Sequence, residues 1–171
     1  HGRLIGPFAN LVWADLSGLD LSGVNLLGAN LAGANLQGTD LTDALLDEVT
    51  SGGVIGVPAA LPTDWQLVNG YLVGPWANLT GAALSGADLA AARLANATLT
   101  GADLRNANLT DADLSNALLN DAHLEGAHLQ GTTLIGTRLN RAHIQGVEFT
   151  GAVARNVDTA GSVATSGTPA S

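Results

Sequence analysis

The chain has 171 residues, which suits one domain or one segment of a repeat array. It contains no Cys, which excludes disulfides and a thiolate nucleophile, and an aromatic content of 4% leaves the core to be built from Leu, Ala, Val and Ile. The net charge of −9 argues against electrostatic binding to nucleic acid or to an anionic membrane surface, and no apolar run is long enough to span a bilayer.

A five-residue period dominates residues 1–48. Leu recurs at every fifth position from Leu11 to Leu46, with a small residue, usually Ala, two positions before it and often Gly, Asn or Asp two positions after it. This period fits neither a helix nor a long strand, whose side chains repeat at 3.6 and 2.0 residues. It fits a very short strand followed by a corner. The Ala and the Leu then point inward, the residue between them points outward, and the last position takes a positive φ in a type II turn.

Residues 49–76 interrupt this period with an insert, because Leu46 and Leu79 are 33 residues apart. Within the insert Asn69-Gly70 lies between two apolar runs, which is a strong short-range signal for a β-hairpin. One face of the hairpin would carry Trp65, Leu67 and Leu72, and the other Val68, Tyr71 and Val73. Since both faces are apolar, at least one should pack on the repeat array or on a partner, and packing on the chain's own coils is favoured.

The five-residue period returns at residues 77–157, and over both arrays 21 of 23 pentads are centred on Leu. The repeated pattern A(D/N)LxG is clearest in "LSGVNLLGANLAGANLQGTDL" (21–41) and "LTGADLRNANLTDADLSNALL" (99–119). It resembles the pentapeptide-repeat family. The resemblance implies an all-β fold, a right-handed quadrilateral β-helix with four pentads per coil, here with a hairpin-containing insert. The first array would then make about two coils and the second nearly four.

Four pentads per coil would place residues twenty apart in one column, at the strand spacing of about 4.8 Å. In the second array this predicts opposite-charge neighbours within columns: Arg93 with Asp113, Arg105 with Glu125, Asp121 with Arg141, and His128 with Glu148. The first array lacks this neutralisation, since Asp20 would lie under Asp40.

One column combines residue types that bind metals, namely Asp103, His123 and His143. A straight column on a flat face does not converge on one ion, so we assign no metal ligand and interpret the column as a solvated polar face. Ser and Thr are predicted at outward corners without a paired base or a cleft. We therefore predict no catalytic residue, no cofactor-binding residue and no cofactor, and we do not expect an enzyme.

The two ends of the sequence resemble parts of the insert. "HGRLIGPFANL" (1–11) aligns without a gap with "NGYLVGPWANL" (69–79), and "GSVATSGTPAS" (161–171) resembles "SGGVIGVPAA" (51–60). We expect the chain to be a piece of a longer tandem protein, with 158–171 as a flexible tail or the start of a next insert. Arrays with this insert resemble secreted actinobacterial and cyanobacterial pentapeptide-repeat proteins, which implies an extracellular or cell-envelope location; the cytoplasm is the alternative.

Two functional hypotheses remain open. The first is a non-catalytic structural or interaction scaffold that binds a protein partner or associates end to end through its coil ends, because exposed strand edges can pair with further strands. The second follows from the resemblance to pentapeptide-repeat proteins that protect DNA gyrase by imitating the width and charge of a DNA duplex. The charge of −9 and the Asp and Asn rows along 10–48 fit a DNA mimic, whereas the neutralised second array and the polar segment 158–171, which offers no apolar dimer helix, do not. Neither hypothesis involves direct nucleic-acid binding or a membrane span.

Overall fold

The computed structural model describes residues 4–163, and no helix occurs in that range. Strand β1 (Gln66–Val68) pairs antiparallel with β2 (Tyr71–Val73), and β3 (Thr133–Ile135) pairs parallel with β4 (Val153–Arg155). Elsewhere in the described chain, the strand contacts are single parallel bridges that recur at every fifth residue. The fold is therefore all-β and repetitive, with strands as short as the five-residue period requires.

The bridges join residues that are twenty positions apart. Asp103, for example, bridges to Ala83 in the coil beneath and to His123 in the coil above. The backbone hydrogen bonds follow the same interval, with the Leu104 N–H donating to the carbonyl of His123 at 2.7 Å. One coil therefore contains twenty residues, which confirms four pentads per coil.

The central Leu and the preceding Ala of each pentad fill the interior of the coil. Leu104 and Ala102 are both 0% exposed, and the same inward pair recurs through both arrays. Three Thr residues replace this Ala and are also fully buried. Each Thr hydroxyl donates to a backbone carbonyl: Thr39 to Leu16 at 2.9 Å, Thr132 to Leu109 at 2.9 Å, and Thr137 to Leu114 at 2.8 Å. The core accepts these polar residues because their hydrogen bonds are satisfied.

The predicted positive φ at the pentad corners is confirmed. Asn106 has a φ of 57°, and the next residue, Ala107, donates its N–H to the carbonyl of Leu104 at 3.0 Å. Gly, Asn and Asp occupy most of these corners because they tolerate the left-handed region better than other residues.

Two corners of the first coil carry aromatic residues in this left-handed region. Phe8 has a φ of 55° and Trp13 a φ of 56°. Their rings lie against Gly28 and Gly33 of the next coil, where an added Cβ would overlap the ring. The two glycines thus provide the space that lets bulky residues occupy strained corners.

The insert forms the third coil of the ladder. Thr50 bridges down to Asn30 and up to Asn78, and Ile55 and Ala60 bridge down to the second coil. The step from Thr50 to Asn78 is 28 residues, compared with 20 elsewhere, so this coil accommodates eight additional residues before the columns resume. The two arrays are consequently joined by backbone pairing on one wall, through Thr50 and Asn78.

The predicted hairpin is confirmed and lies between the two arrays. Asn69 and Gly70, with φ values of 50° and 77°, form the turn between β1 and β2. Leu72 is buried in the core of the first array, whereas the adjacent Val73 is buried in the core of the second. Trp65 contacts both cores. Both apolar faces of the hairpin are therefore covered by the chain's own coils.

Three hydrogen bonds fix the hairpin to the neighbouring coils. The N–H of Leu72 donates to the Ser51 hydroxyl at 2.9 Å, and the N–H of Ala83 donates to the Tyr71 hydroxyl at 3.1 Å. A third bond joins the N–H of Val54 to the carbonyl of Gly70 at 3.1 Å. The hairpin is thus held by polar contacts to its own coil and to the coil above.

The ladder continues beyond residue 157. Asp158 bridges to Arg138, and Val163 bridges to His143. The rest of the segment predicted as a tail or a next insert, 164–171, lies outside the described residues, as do residues 1–3.

Candidate functional site

The outward Asn and Asp side chains cap the corners of their own pentads. The Asn25 Oδ1 accepts a hydrogen bond from the Leu27 N–H at 2.9 Å, and the Asp40 Oδ1 accepts one from the Thr42 N–H at 2.8 Å. The hydroxyl of Ser22 donates to Asp20 at 2.6 Å, and together with the Ser22 backbone N–H it lowers the pKa of that carboxyl. These acidic residues therefore have a structural role at the turns, independent of any partner.

Three of the four predicted charge columns contain close pairs. The Arg141 guanidinium donates to both carboxylate oxygens of Asp121 at 2.7 Å and lowers the pKa of that carboxyl. The Arg93 Nη1 lies 3.9 Å from the Asp113 Oδ2, and the Arg93 Nε lies 4.0 Å from the Oδ1 of Asp64 in the insert. The third pair joins the Nδ1 of His128 to a Glu148 carboxylate oxygen at 3.8 Å. These pairs are exposed, so solvent screening leaves each with only a small contribution to the free energy of unfolding.

The fourth predicted pair, Arg105 with Glu125, forms no close ion pair, and its two side chains interact only at longer range. Arg105 turns to Asp103 in its own pentad and donates to both carboxylate oxygens, at 2.8 and 2.6 Å. These hydrogen bonds hold the pKa of Asp103 down at about 2. Arg105 pairs with Asp103 in preference to Glu125 because Asp103 lies two residues away on the same wall. The bidentate geometry is also the strongest arrangement for this ion pair.

Glu125 instead lies beside the two histidines of the predicted polar column. Its Oε1 is 3.5 Å from the Nδ1 of His123 and 3.5 Å from the Nδ1 of His143, and the two imidazole centroids are 4.6 Å apart. Asp103 shares the column but is held by Arg105. Counting residues twenty apart placed Glu125 with Arg105 and so did not place it with the histidines. The signal was its position two residues after His123, which places its side chain at the adjacent corner.

The first array carries a column of acidic side chains without cations. Asp20 and Asp40 are bridge partners in adjacent coils, as predicted. Asp15 lies in the neighbouring column and accepts a hydrogen bond from the Asn35 amide at 3.1 Å. No Arg or His within residues 4–163 makes an ion pair with these acids. This wall therefore presents negative charge to the solvent.

A groove of about 550 Å³ follows another wall across both arrays. It is lined by Phe8, Glu48 and Trp76 together with Thr and Asn side chains, and both aromatic rings are at least half exposed. Phe8 and Trp76 occupy the same position in the two aligned sequence copies, 68 residues apart. The alignment of these copies was visible in the sequence, but the exposure of both rings on one wall is seen only in the structure. Exposed aromatic residues are enriched at protein interfaces.

The family model for pentapeptide repeats matches eight copies, over residues 9–47 and, in overlapping segments, 77–156. The chain belongs to the pentapeptide repeat family. The match stops on either side of the insert, which the structure nevertheless includes in the same ladder. No part of this pentapeptide repeat protein between residues 4 and 163 forms an apolar helix of membrane-spanning length.

Solved structures of other pentapeptide repeat proteins are similar to this chain. A protein of the Arabidopsis thaliana thylakoid lumen is 26% identical over 50% of this chain and 59% of its own, with a TM-score of 0.38. HetL of the cyanobacterium Nostoc, which is involved in heterocyst differentiation regulation, is 30% identical over 91% of this chain and 62% of its own, with a TM-score of 0.32. This chain thus spans about three fifths of the length of both.

QnrB1, a plasmid-mediated fluoroquinolone resistance protein, is 14% identical over 90% of this chain and 89% of its own, with a TM-score of 0.35. Among the curated proteins no significant match was found. Membership of the family rests on the match of the repeat itself.

Proposed function

We propose that this pentapeptide repeat protein is a non-catalytic scaffold, a segment of a longer extracellular rod that binds protein partners and extends by adding coils at its ends. We infer for it the right-handed quadrilateral β-helix that the family resemblance implies. The observation that carries the proposal is the bridge from Thr50 to Asn78, through which the ladder crosses the insert. An insert that forms a coil permits array and insert to alternate along one rod.

The 68-residue spacing of the aligned copies supports this alternation. From Asn10 to Asn78 the chain passes through two regular coils and the longer third coil, and it returns to the same column. A further copy of the unit would therefore begin in register with the first. The domain boundaries that follow are a first array at 1–48, an insert at 49–76 and a second array at 77–157.

The first coil offers an edge suited to end-to-end association. Leu19 occupies an inward position, but it is 41% exposed because the described chain has no coil beneath it. The equivalent residue of the next coil, Thr39, is fully buried. A coil stacked beneath would cover Leu19 and pair with the open strand edge, and such a head-to-tail contact gives a filament rather than a closed dimer.

A charge placed on this edge tests the self-association. We expect light scattering of the wild-type chain to show a molar mass that rises with protein concentration and electron microscopy to show short filaments. Leu19→Lys should abolish both, because a charged edge resists pairing. The matched control is Leu45→Lys, which puts the same charge on an outward position that is 53% exposed. A wild-type chain that stays monomeric, or two variants with the same effect, would contradict end-to-end association.

Fractionation of the source organism tests the location. An antibody against this chain should detect it in the medium or the cell envelope, with a cytosolic protein as the control. Detection only in the cytosol would contradict the extracellular part of the proposal.

The acidic wall around Asp20 and Asp40 favours a second candidate, a DNA mimic that binds DNA gyrase. Like charges in successive coils resemble the phosphate rows of a duplex, and the net charge is −9. The capping role of these carboxylates argues for the scaffold as the first choice. Inhibition of gyrase supercoiling by the wild-type chain, and its loss in an Asp20→Asn, Asp40→Asn variant, would support the mimic. Absence of inhibition would exclude it.

A further inference from the structure

The second array contains a cluster of two imidazoles and one carboxylate on a single wall. The donor atoms of His123, Glu125 and His143 all lie within 4.8 Å of one another. Two successive coils supply these residues, since His123 and His143 are bridge partners. Their backbone positions are therefore fixed by the ladder, and only the side-chain rotamers need to adjust.

Neighbouring charges leave Glu125 available to the histidines. Arg105 is engaged by both oxygens of Asp103, and Arg141 by both oxygens of Asp121. Each guanidinium is thus neutralised by a carboxylate other than Glu125. Within 4.0 Å the nitrogen contacts of Glu125 among residues 4–163 are with the two imidazoles, while Arg105 acts on it electrostatically from farther away.

We propose that His123, Glu125 and His143 bind one divalent transition-metal ion, with Zn²⁺ as the representative ion. Zn²⁺ takes imidazole nitrogen and carboxylate oxygen at about 2.0–2.2 Å, so neighbouring ligand atoms in a tetrahedral site lie about 3.3–3.6 Å apart. Both imidazole-to-carboxylate distances, at 3.5 Å, already have this value. The straight column on a flat wall becomes a convergent set because Glu125 approaches the two rings from the adjacent corner.

The burial of one oxygen of the Glu125 carboxylate supplies an independent argument. Its Oε2 is buried and has no hydrogen-bond partner among the described residues. A carboxylate with one buried, unsatisfied oxygen is unfavourable unless positive charge compensates it. Arg105 interacts with this carboxylate but is hydrogen-bonded to Asp103. A metal ion on Oε1 would supply further positive charge and would fix the carboxylate in its observed position.

The cluster is also accessible to an ion from solution. The side chains of His123 and His143 are 46% and 43% exposed, and that of Glu125 is 31% exposed. Three protein ligands leave a fourth position for water or for a group from another molecule. The site would therefore be an open one, distinct from the closed four-ligand sites that stabilise small domains.

Calorimetric titration with ZnCl₂ tests the proposal. The full chain is used without an affinity tag and with His1→Ala, so that the amino-terminal residue provides no competing imidazole. We expect one Zn²⁺ per chain at about pH 7.5, where imidazoles are neutral ligands. Glu125→Gln and His143→Asn should each lower the association constant at least about tenfold, since each removes a ligand. Circular dichroism should show that both variants remain folded, because these side chains lie on the outer wall.

His128→Asn is the matched control. The Nδ1 of His128 lies 3.8 Å from a Glu148 carboxylate oxygen on another wall. Within residues 4–163 no further ligand joins that pair to form a cluster of three. Its loss should leave the Zn²⁺ affinity unchanged. As a second measurement, Co²⁺ in place of Zn²⁺ should give visible absorption bands that disappear in Glu125→Gln.

Three results would overturn the proposal. The first is a wild-type chain that takes up no Zn²⁺. The second is Zn²⁺ binding that survives both Glu125→Gln and His143→Asn. The third is equal loss of affinity in His128→Asn, which would indicate adventitious binding to surface imidazoles.

Discussion

Leu104→Ala measures how strongly the stacked Leu column stabilises the coil. Leu104 is 0% exposed, and its N–H is bonded to the coil above. Removing its buried methyl groups loses their transfer free energy and leaves a cavity, and such substitutions cost about 2–5 kcal/mol. The rigid ladder above and below restricts collapse of that cavity. We therefore expect a loss of about 3 kcal/mol in the free energy of unfolding, or roughly 6–12 °C in Tm for a chain of this size.

Leu45→Ala is the control, because it makes the same chemical change at an outward position. Leu45 is 53% exposed, so less than half of its surface is buried in the folded chain. Its replacement by Ala removes less buried apolar surface and leaves no closed cavity. The expected cost is under about 1 kcal/mol. Urea unfolding followed by circular dichroism gives the midpoint and slope for each variant. Equal midpoint shifts for the two variants would refute the assignment of inward and outward positions.

Three further predictions concern the hairpin, the ion pairs and the secondary structure. Gly74→Ala should lower the free energy of unfolding by about 1–3 kcal/mol, because its Cβ would overlap the Trp65 ring. Gly6→Ala, at the aligned position where nothing lies within 4 Å, is the control, and equal melting temperatures would contradict the packing. The folded-state pKa of Asp103 is depressed to about 2, so its stabilising effect is present above the unfolded value of about 3.9 and is lost as pH falls through 2. Arg105→Gln should move that pKa upward in a carboxyl NMR titration, and an unchanged value would refute the role of the guanidinium. Far-ultraviolet circular dichroism of the chain should lack a dominant helical signal, and a strong helical signal would contradict the all-β fold.

The sequence predicts the regular coils well because a single spacing decides them. A residue two positions before Leu104 must share its side of a strand, and a corner residue such as Asn106 must tolerate a positive φ. The turn of the hairpin was equally predictable, since Asn69-Gly70 suits a two-residue loop.

Choices between neighbouring side chains were harder to predict. The column rule places Glu125 above Arg105, but Arg105 can also reach Asp103 within its own pentad, and only the rotamer decides between them. The same rule excluded Glu125 from the histidine column, because it describes backbone positions and neglects the reach of a long side chain.

The path of the insert could not be predicted from the sequence, for a different reason. Counting from Leu46 to Leu79 gives 33 residues, which suggests a loss of register. The relevant interval runs from Thr50 to Asn78, since residues after Leu46 still pair with the coil beneath. The pairing partners reveal this interval, whereas in the sequence Ser51 and Gly56 replace the central Leu before it returns at Leu61.

The hairpin between the two cores has a consequence for how this gene can change in length. A duplication or deletion of twenty residues adds or removes one whole coil and leaves every wall facing the same way. A change of five residues would move every later pentad to the next wall relative to the hairpin. Surfaces of the second array, such as the wall that carries His123, would then no longer align with the same walls of the first array. We expect natural variants to differ in length by whole coils, so that selection acts on the four-pentad unit although the visible repeat in the sequence is the single pentad.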